Sequence, residues 1–359
     1  MTIVPASKAS GPNGLGGERT DYTEAINSVE QKHGRIMNSG LFTPYYLDVT
    51  TGIIDDEVYE LGIIPPTRRG AQASANKPSI RTEVPFSVPH FPMVDFIRPS
   101  AVQDRRNPGS KDPRKMANEL AGRSQALSNK FDLTAEHLMM GAIKGNTVDA
   151  NGVSLFNSFT AFDAGSQHTI SYELDQAGTE VLQLTAQTRR YIENNINMPV
   201  PVERLHCYCG TAFFEALIIH PSIQEAYKYY QAHQSQLAAL SAERTASQPA
   251  GQNPMQHSMR RGFLHDNILF EEYDATVRLP NGSTDSFIPA DEAYCFPVGI
   301  PGLFRAYYAP ADTIQHANTT AQEKYMFVDE SLRSLRIDAE MNVLPLCVRP
   351  EVLVQLTRT

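Results

Sequence analysis

Tryptophan is absent from the 359 residues, which weakens any reading based on carbohydrate stacking or an aromatic cage. Cysteine is scarce: Cys207, Cys209, Cys295 and Cys347 are the only four, and only one pair is close. No apolar run approaches the ~20 residues that a membrane-spanning helix needs. Met1 to Arg19 lacks an apolar h-region, which predicts no secretory signal and reduced thiols in a cytosol. Positive charge is short as well. Lys plus Arg is 31 against 40 for Asp plus Glu, a formal net charge of -9, which disfavours tight polyanion binding by the whole surface. No Gly-x-Ser-x-Gly elbow, His-Glu-x-x-His or P-loop occurs. What is present is an ordinary folding composition, 41% hydrophobic and 20% charged. The length sits above the ~100–200 residues of one domain and predicts about two.

The texture changes along the chain. Gly11-Pro12-Asn13-Gly14-Leu15-Gly16-Gly17 cannot form a regular helix or a central strand. With no preceding strand and no Gly-Lys-Ser/Thr after it, it reads as an extended arm with few core-type residues, held by something outside its own chain. Tyr46 to Ile64 reads as extended. Pro65-Pro66-Thr67-Arg68-Arg69-Gly70 then breaks it, and Ile80 to Ile97 returns carrying Pro85, Pro89 and Pro92. Proline cannot donate to a ladder, so this ribbon is an edge or stands clear of a sheet. Being marginal alone, it should rest on another surface, which suggests a partner.

Residues 113–145 give the clearest local signal. Asp112 caps and Pro113 opens a helix. Met116, Leu120, Ser124, Leu127, Phe131, Ala135, Leu138 and Ala142 recur in threes and fours on one face. Gly145 supplies the stop. Such a helix is about 48 Å long at about 1.5 Å per residue, although Gly122 and Gly141 weaken it. Asp149-Ala150-Asn151-Gly152 predicts a hairpin turn, and 179–195 a second helix. Beyond Pro199 come a buried strand at Leu205–Cys209, helices at 211–219 and 223–232, a polar loop at 233–259, and a series of strands. Three strand-like runs close the chain from Tyr325 to Leu356.

Candidate chemistry is thin. His206-Cys207-Tyr208-Cys209 has the outline of a metal half-site, but zinc sites use Cys-x2–4-Cys and no second close pair follows. Alternation puts both thiols on one strand face, away from His206, and buried strand positions explain them more simply. His265-Asp266 reads as an ordinary pair, and Asp55-Asp56-Glu57 and Glu271-Glu272 as solvated turn or edge carboxylates. Asn281-Gly282-Ser283 matches a glycosylation acceptor that means nothing without secretion. The basic cluster Arg105, Arg106, Lys111, Arg114 and Lys115 precedes the long helix. It reads either as a solvated helix entry or as a contact to an acidic neighbour or to phosphate. Arg68 and Arg69 are suited to carboxylate contacts across an interface.

The order of parts resembles the lambda-type major capsid proteins of tailed phages. The carrying residues are Arg69-Gly70 at the ribbon tip, Leu138 to Gly145 running into Asp149-Ala150-Asn151-Gly152, and Gly302-Leu303-Phe304-Arg305 before a strand. The ending Leu344-Pro345-Leu346 … Arg349-Pro350-Glu351-Val352-Leu353-Val354-Gln355-Leu356 completes the likeness.

The resemblance implies an α+β fold of the Hong Kong 97 type. Its parts would be an N-terminal arm (1–47), an extended β-ribbon loop (48–103), a peripheral domain (104–198) with its spine helix, an axial domain (199–312) with a mobile loop at 233–259, and C-terminal strands (313–359) returning to the peripheral domain. It implies a non-enzymatic protein without metal or cofactor, assembling as hexamers and pentamers into an icosahedral head around double-stranded DNA contacted weakly and non-specifically. A scaffold, a portal and a decoration protein would be further partners, with no membrane. Candidate inter-subunit contacts are Arg68, Arg69, Lys77, Arg105, Arg106, Arg114 and Lys115. Lys77 beside Asn76 raises covalent Lys–Asn cross-linking, but the polar tip keeps that lysine charged, and lambda-type shells are non-covalent. Two other readings stand beside this one. A cytosolic Cys/His enzyme leaves the ribbon and arm unexplained. Another virion or tail-sheath protein explains self-association but not this order of elements.

Overall fold

The structure of the chain, a computed structural model, describes residues 7–9, 19–27, 34–58, 68, 80–103, 116–196, 202, 204–230 and 262–359. Its axis is the spine helix Met116–Ile143, 28 residues long, about 42 Å at about 1.5 Å per residue. The expected start at Asp112 and Pro113 lies outside the described residues. Leu120, Leu127, Phe131, Ala135 and Leu138 are buried along one face, as their spacing requires. Gly141, which costs helix propensity, has a packing reason: a Cβ there would come within 2.9 Å of the Asn146 carbonyl. Gly145 stops the helix at φ +82°, and a Cβ on it would sit 2.2 Å from the Phe159 ring. The hairpin Asn146–Val148 with Ser154–Asn157 follows. Asp149 Oδ1 ties its turn, accepting the N–H groups of Asn151 and Val153 at 2.8 Å each.

Three sheets and the ribbon surround this axis. The first sheet orders Ser7–Ala9, Arg19–Asp21, Tyr325–Glu330, Leu335–Met341 and Phe91–Ile97. Met326, Val328 and Ile337 join the main core, while Tyr325 and Phe327 pack with Ala311 on the other face. Arg19–Asp21 pairs antiparallel with Phe327–Asp329, and Thr23 and Ile26 are buried. The described part of the arm is therefore packed on its own chain, while the glycine-rich run for which an outside holder was expected lies outside the described residues. A strand from 19–21 covers a sheet edge that would otherwise present unpaired backbone groups.

A six-stranded sheet orders Gly262–His265, Ile268–Glu272, Arg204–Cys209, Glu292–Val298, Val354–Thr357 and His168–Ser171. It draws strands from three of the five expected segments. The closing residues give four strands rather than three, and only Tyr325–Glu330 and Leu335–Met341 stay in the first sheet. Val354–Thr357 is seated between Glu292–Val298 and His168–Ser171. Val343–Cys347 joins a third sheet with Phe304–Tyr308 and Thr43–Tyr46. Helices Val181–Asn195, Thr211–Ile219 and Pro221–Tyr230 complete the helical part. Pro221 opens the last of these, as the missing N–H allows at a first turn.

The ribbon is the two-stranded pair Thr51–Val58 and Ile80–Ser87. The single long strands expected on either side of it are broken: Thr43–Tyr46 belongs to the third sheet, and Phe91–Ile97 is the edge strand of the first. Pro89 sits at the second break, and Pro92 lies on the edge strand, where its missing N–H is tolerated. The base of the ribbon rests on its own chain. Ile54, Val84 and Phe86 are buried against Tyr307, Leu344 and Leu346 of the same chain.

Candidate functional site

The Cys/His segment lies in the strand Arg204–Cys209, between Ile268–Glu272 and Glu292–Val298. Cys207 is in register with Cys295, its sulfur is 3.8 Å from that of Cys209, and all four cysteines are buried. Burial pushes the Cys207 and Cys347 thiols well up, the opposite of what a thiolate nucleophile needs. His206 turns instead to Glu271, Nε2 to Oε2 at 2.8 Å. Asp266 does not orient His265; it accepts from Arg189 at 2.7 Å. Among the described residues no group of three or more His, Cys, Asp or Glu is placed to hold a metal ion.

The chemistry that matters here is a set of buried charge anchors. Glu271 is only 2% exposed, correcting the reading of Glu271-Glu272 as solvated. Strand alternation turns it inward, where Arg35 binds it with Nε at 3.1 Å and with Nη2. Arg35 also donates to the Glu272 carbonyl at 3.0 Å, and its guanidinium lies 5.0 Å from the Tyr273 ring centre. Burial alone would raise the Glu271 carboxyl. The His206 hydrogen bond and charge, with the Arg35 guanidinium, overcome this and hold it at about 2.

Glu136, on the buried face of the spine helix, accepts the N–H groups of Ile36 at 2.7 Å and Met37 at 3.2 Å. It also accepts the Tyr273 hydroxyl at 2.8 Å. Burial raises its carboxyl although these bonds favour the charged form. One turn earlier, Asp132 Oδ1 lies 2.5 Å from Lys324 Nζ, which also donates to Ser128 Oγ at 2.8 Å. The segment around Arg35 thus clips the spine helix to the six-stranded sheet, and Lys324 clips it to the first sheet. Sequence reasoning missed these residues. Their signal was there: Ser128, Asp132 and Glu136 recur every fourth residue along the apolar helix face, where a polar row needs partners.

Of the predicted contact residues, only Arg68 lies within the described residues. Arg68 is exposed. Arg69, Lys77, Arg105, Arg106, Arg114 and Lys115 lie outside the described residues, as do Lys111, the glycine-rich run 11–17 and the loop 233–259. No helix of the described residues is long and apolar enough to cross a membrane.

A long helical spine flanked by sheets, with a separate two-stranded ribbon, is a capsid fold of the Hong Kong 97 type. The phage major capsid protein E family model matches residues 19–358, and the chain belongs to that family. It is 27% identical over 360 residues to the major capsid protein of Salmonella phage Felix O1 (isolate Felix O1-VT1), covering 94% of this chain and 95% of that one. It is 26% identical over 350 residues to the major capsid protein of Pseudomonas phage KPP10, covering 94% and 96%. The cyanophage Pam1 capsid subunit has the same fold with a TM-score of 0.50 at 11% identity, covering 92% of this chain and 95% of that one. The protein forms the head shell of a tailed phage by self-assembly and resides in the virion capsid.

Proposed function

We propose that the shell is an icosahedral head built from hexamers and pentamers, enclosing double-stranded DNA, and that the subunit has no catalytic role. The observation that carries this is the ribbon. Its base is packed on its own chain, and the segment that joins its two strands carries Arg68 and Arg69 in sequence. Arg68 is exposed, and an exposed basic tip suits carboxylates of a neighbour. The tip's Lys77 and the residues before the spine helix, Arg105, Arg106, Arg114 and Lys115, are further candidate contacts. The peripheral part is assigned to 104–198 and the axial part to 199–312, with 233–259 at the capsomer centre. Arm 1–47, ribbon 48–103 and the closing strands 313–359 link them. A net charge of -9 suits a container that touches its polyanionic cargo only weakly and non-specifically. A scaffold, a portal and a decoration protein are the further partners of this reading. Negative-stain electron microscopy of the purified protein tests it. Closed shells or ring capsomers are expected; a discrete small oligomer with enzymatic turnover would overturn it.

A further inference from the structure

A groove of about 540 Å³ opens on the first sheet, between Phe91–Ile97 with Leu335–Met341 on one side and the loop at Asp312 to Gln315 on the other. Pro92, Val94 and Phe327 give it an apolar lining, and Val94 is 49% exposed. Asp338 stands in register with Phe327 on one side and Val94 on the other. The groove also carries Asp312 and Glu340, so three carboxylates face one guanidinium, that of Arg336. Arg336 already donates to Asp338 at 2.8 Å, Glu340 accepts the Asp312 N–H at 2.9 Å, and His90 is 3.7 Å from Glu340. By formal charge the lining, with three carboxylates and one guanidinium, is acidic beside its apolar residues.

The same sheet carries a matching projection. The turn joining Tyr325–Glu330 to Leu335–Met341 is closed by Ser331 and Ser334, with Ser331 N–H donating to the Ser334 carbonyl at 2.9 Å and Ser334 N–H to Ser331 Oγ at 3.1 Å. This tied turn holds Leu332 outward, 99% exposed, with Arg333 beside it. The turn thus presents an apolar and a cationic side chain side by side, both exposed. It cannot reach the groove of its own chain. Leu332 and Asp338 are separated by an extended strand, about 20 Å at about 3.4 Å per residue.

We infer that the Leu332–Arg333 turn of one subunit docks in the groove of a second copy, with Leu332 against Val94 and Phe327 and Arg333 at the acidic side. An apolar projection and an apolar groove on different parts of one chain make a heterologous contact, which closes into a ring or propagates. Complementary charge sets its register. This inference rests on the self-assembly reading and names one contact through which assembly proceeds.

Cysteine pairing tests it, because the four native thiols are buried. Leu332→Cys combined with Val94→Cys, oxidised mildly in the assembled state, should give covalent dimers and higher multiples on a non-reducing gel. A mixture of the two single variants should give dimers at most. Shells of the double variant that stay monomeric on that gel overturn the inference but leave the self-assembly reading intact. Leu332→Asp, checked for an unchanged circular dichroism spectrum, should lower the assembled fraction at least tenfold, while Leu332→Met should not. Normal assembly of Leu332→Asp also overturns it. A wild-type protein that forms no shells or capsomers overturns the self-assembly reading itself, and this contact with it.

Discussion

Lys324 Nζ and Asp132 Oδ1 lie 2.5 Å apart, with side chains 4% and 0% exposed, and they join the first sheet to the middle of the spine helix. Removing one partner strands a charge in the core. Lys324→Met should therefore lower subunit stability by about 3–5 kcal/mol, whereas Lys324→Met with Asp132→Leu should recover most of the loss. Urea denaturation of the unassembled subunit checks both. Equal stability of the single and double variants would contradict the pair's role.

The acid limb of stability should report Glu271. Its carboxyl is held at about 2 against the usual 4.5, so the folded state binds this proton more weakly than the unfolded chain does. The stabilisation is complete above about 4.5 and is lost as pH falls toward about 2. Glu136, whose carboxyl is raised by burial, has the opposite sign: its contribution favours the protonated form and fades as pH rises through its folded value. Glu271→Gln should be less stable than wild type at neutral pH and should lose less between pH 4.5 and 2. Thermal melts at stepped pH measure this, and parallel acid limbs for the two proteins would count against it.

Two truncations separate the parts of the arm. Deleting residues 2–18 spares Arg19–Asp21 and the residues after it, so the subunit should fold normally. Deleting residues 2–35 removes Ile26, which is 0% exposed, and Arg35, the partner of buried Glu271. Loss of the apolar burial costs about 1.5–3 kcal/mol, and the stranded carboxylate about 3–5 kcal/mol more. Circular dichroism melts should show near-wild-type stability for the first and a large drop for the second.

These anchors mark where the sequence stopped being legible. Periodicity identified the spine helix because one apolar face repeats through Leu120, Leu127, Phe131 and Leu138. Turn chemistry identified the hairpin because Asp149-Ala150-Asn151-Gly152 dictates local geometry. The alternation of Cys207 and Cys209 likewise announced a buried strand. Pairings at long range were not legible. Nothing local tells that Arg19–Asp21 meets Phe327–Asp329, or that Val354–Thr357 inserts beside Glu292–Val298. Nor does anything local tell that Lys324 meets Asp132 or that Arg35 meets Glu271. The ribbon was legible from its prolines, but its footing was not, since Ile54, Val84 and Phe86 find Tyr307 and Leu346 only across the folded chain.

Charge reversal at the ribbon tip should act on assembly alone. Arg68→Glu with Arg69→Glu reverses the charge of this segment, in which Arg68 is exposed, and so changes pairing. Helix content by circular dichroism should stay unchanged while shell yield or shell stability falls. Normal shells of normal stability would remove the tip from the set of contacts.

The most direct test of the account is a cryo-electron microscopy reconstruction of particles assembled from the purified chain, with a denaturing gel of the same boiled particles. The account predicts an icosahedral shell of six- and five-copy capsomers in which the ribbon of one subunit lies on the next. It also predicts a single band near 39.8 kDa, because contacts of this kind are non-covalent. Helical tubes or a fixed small oligomer would contradict the shell. A ladder of multiples that disappears in Lys77→Ala would contradict its non-covalent assembly.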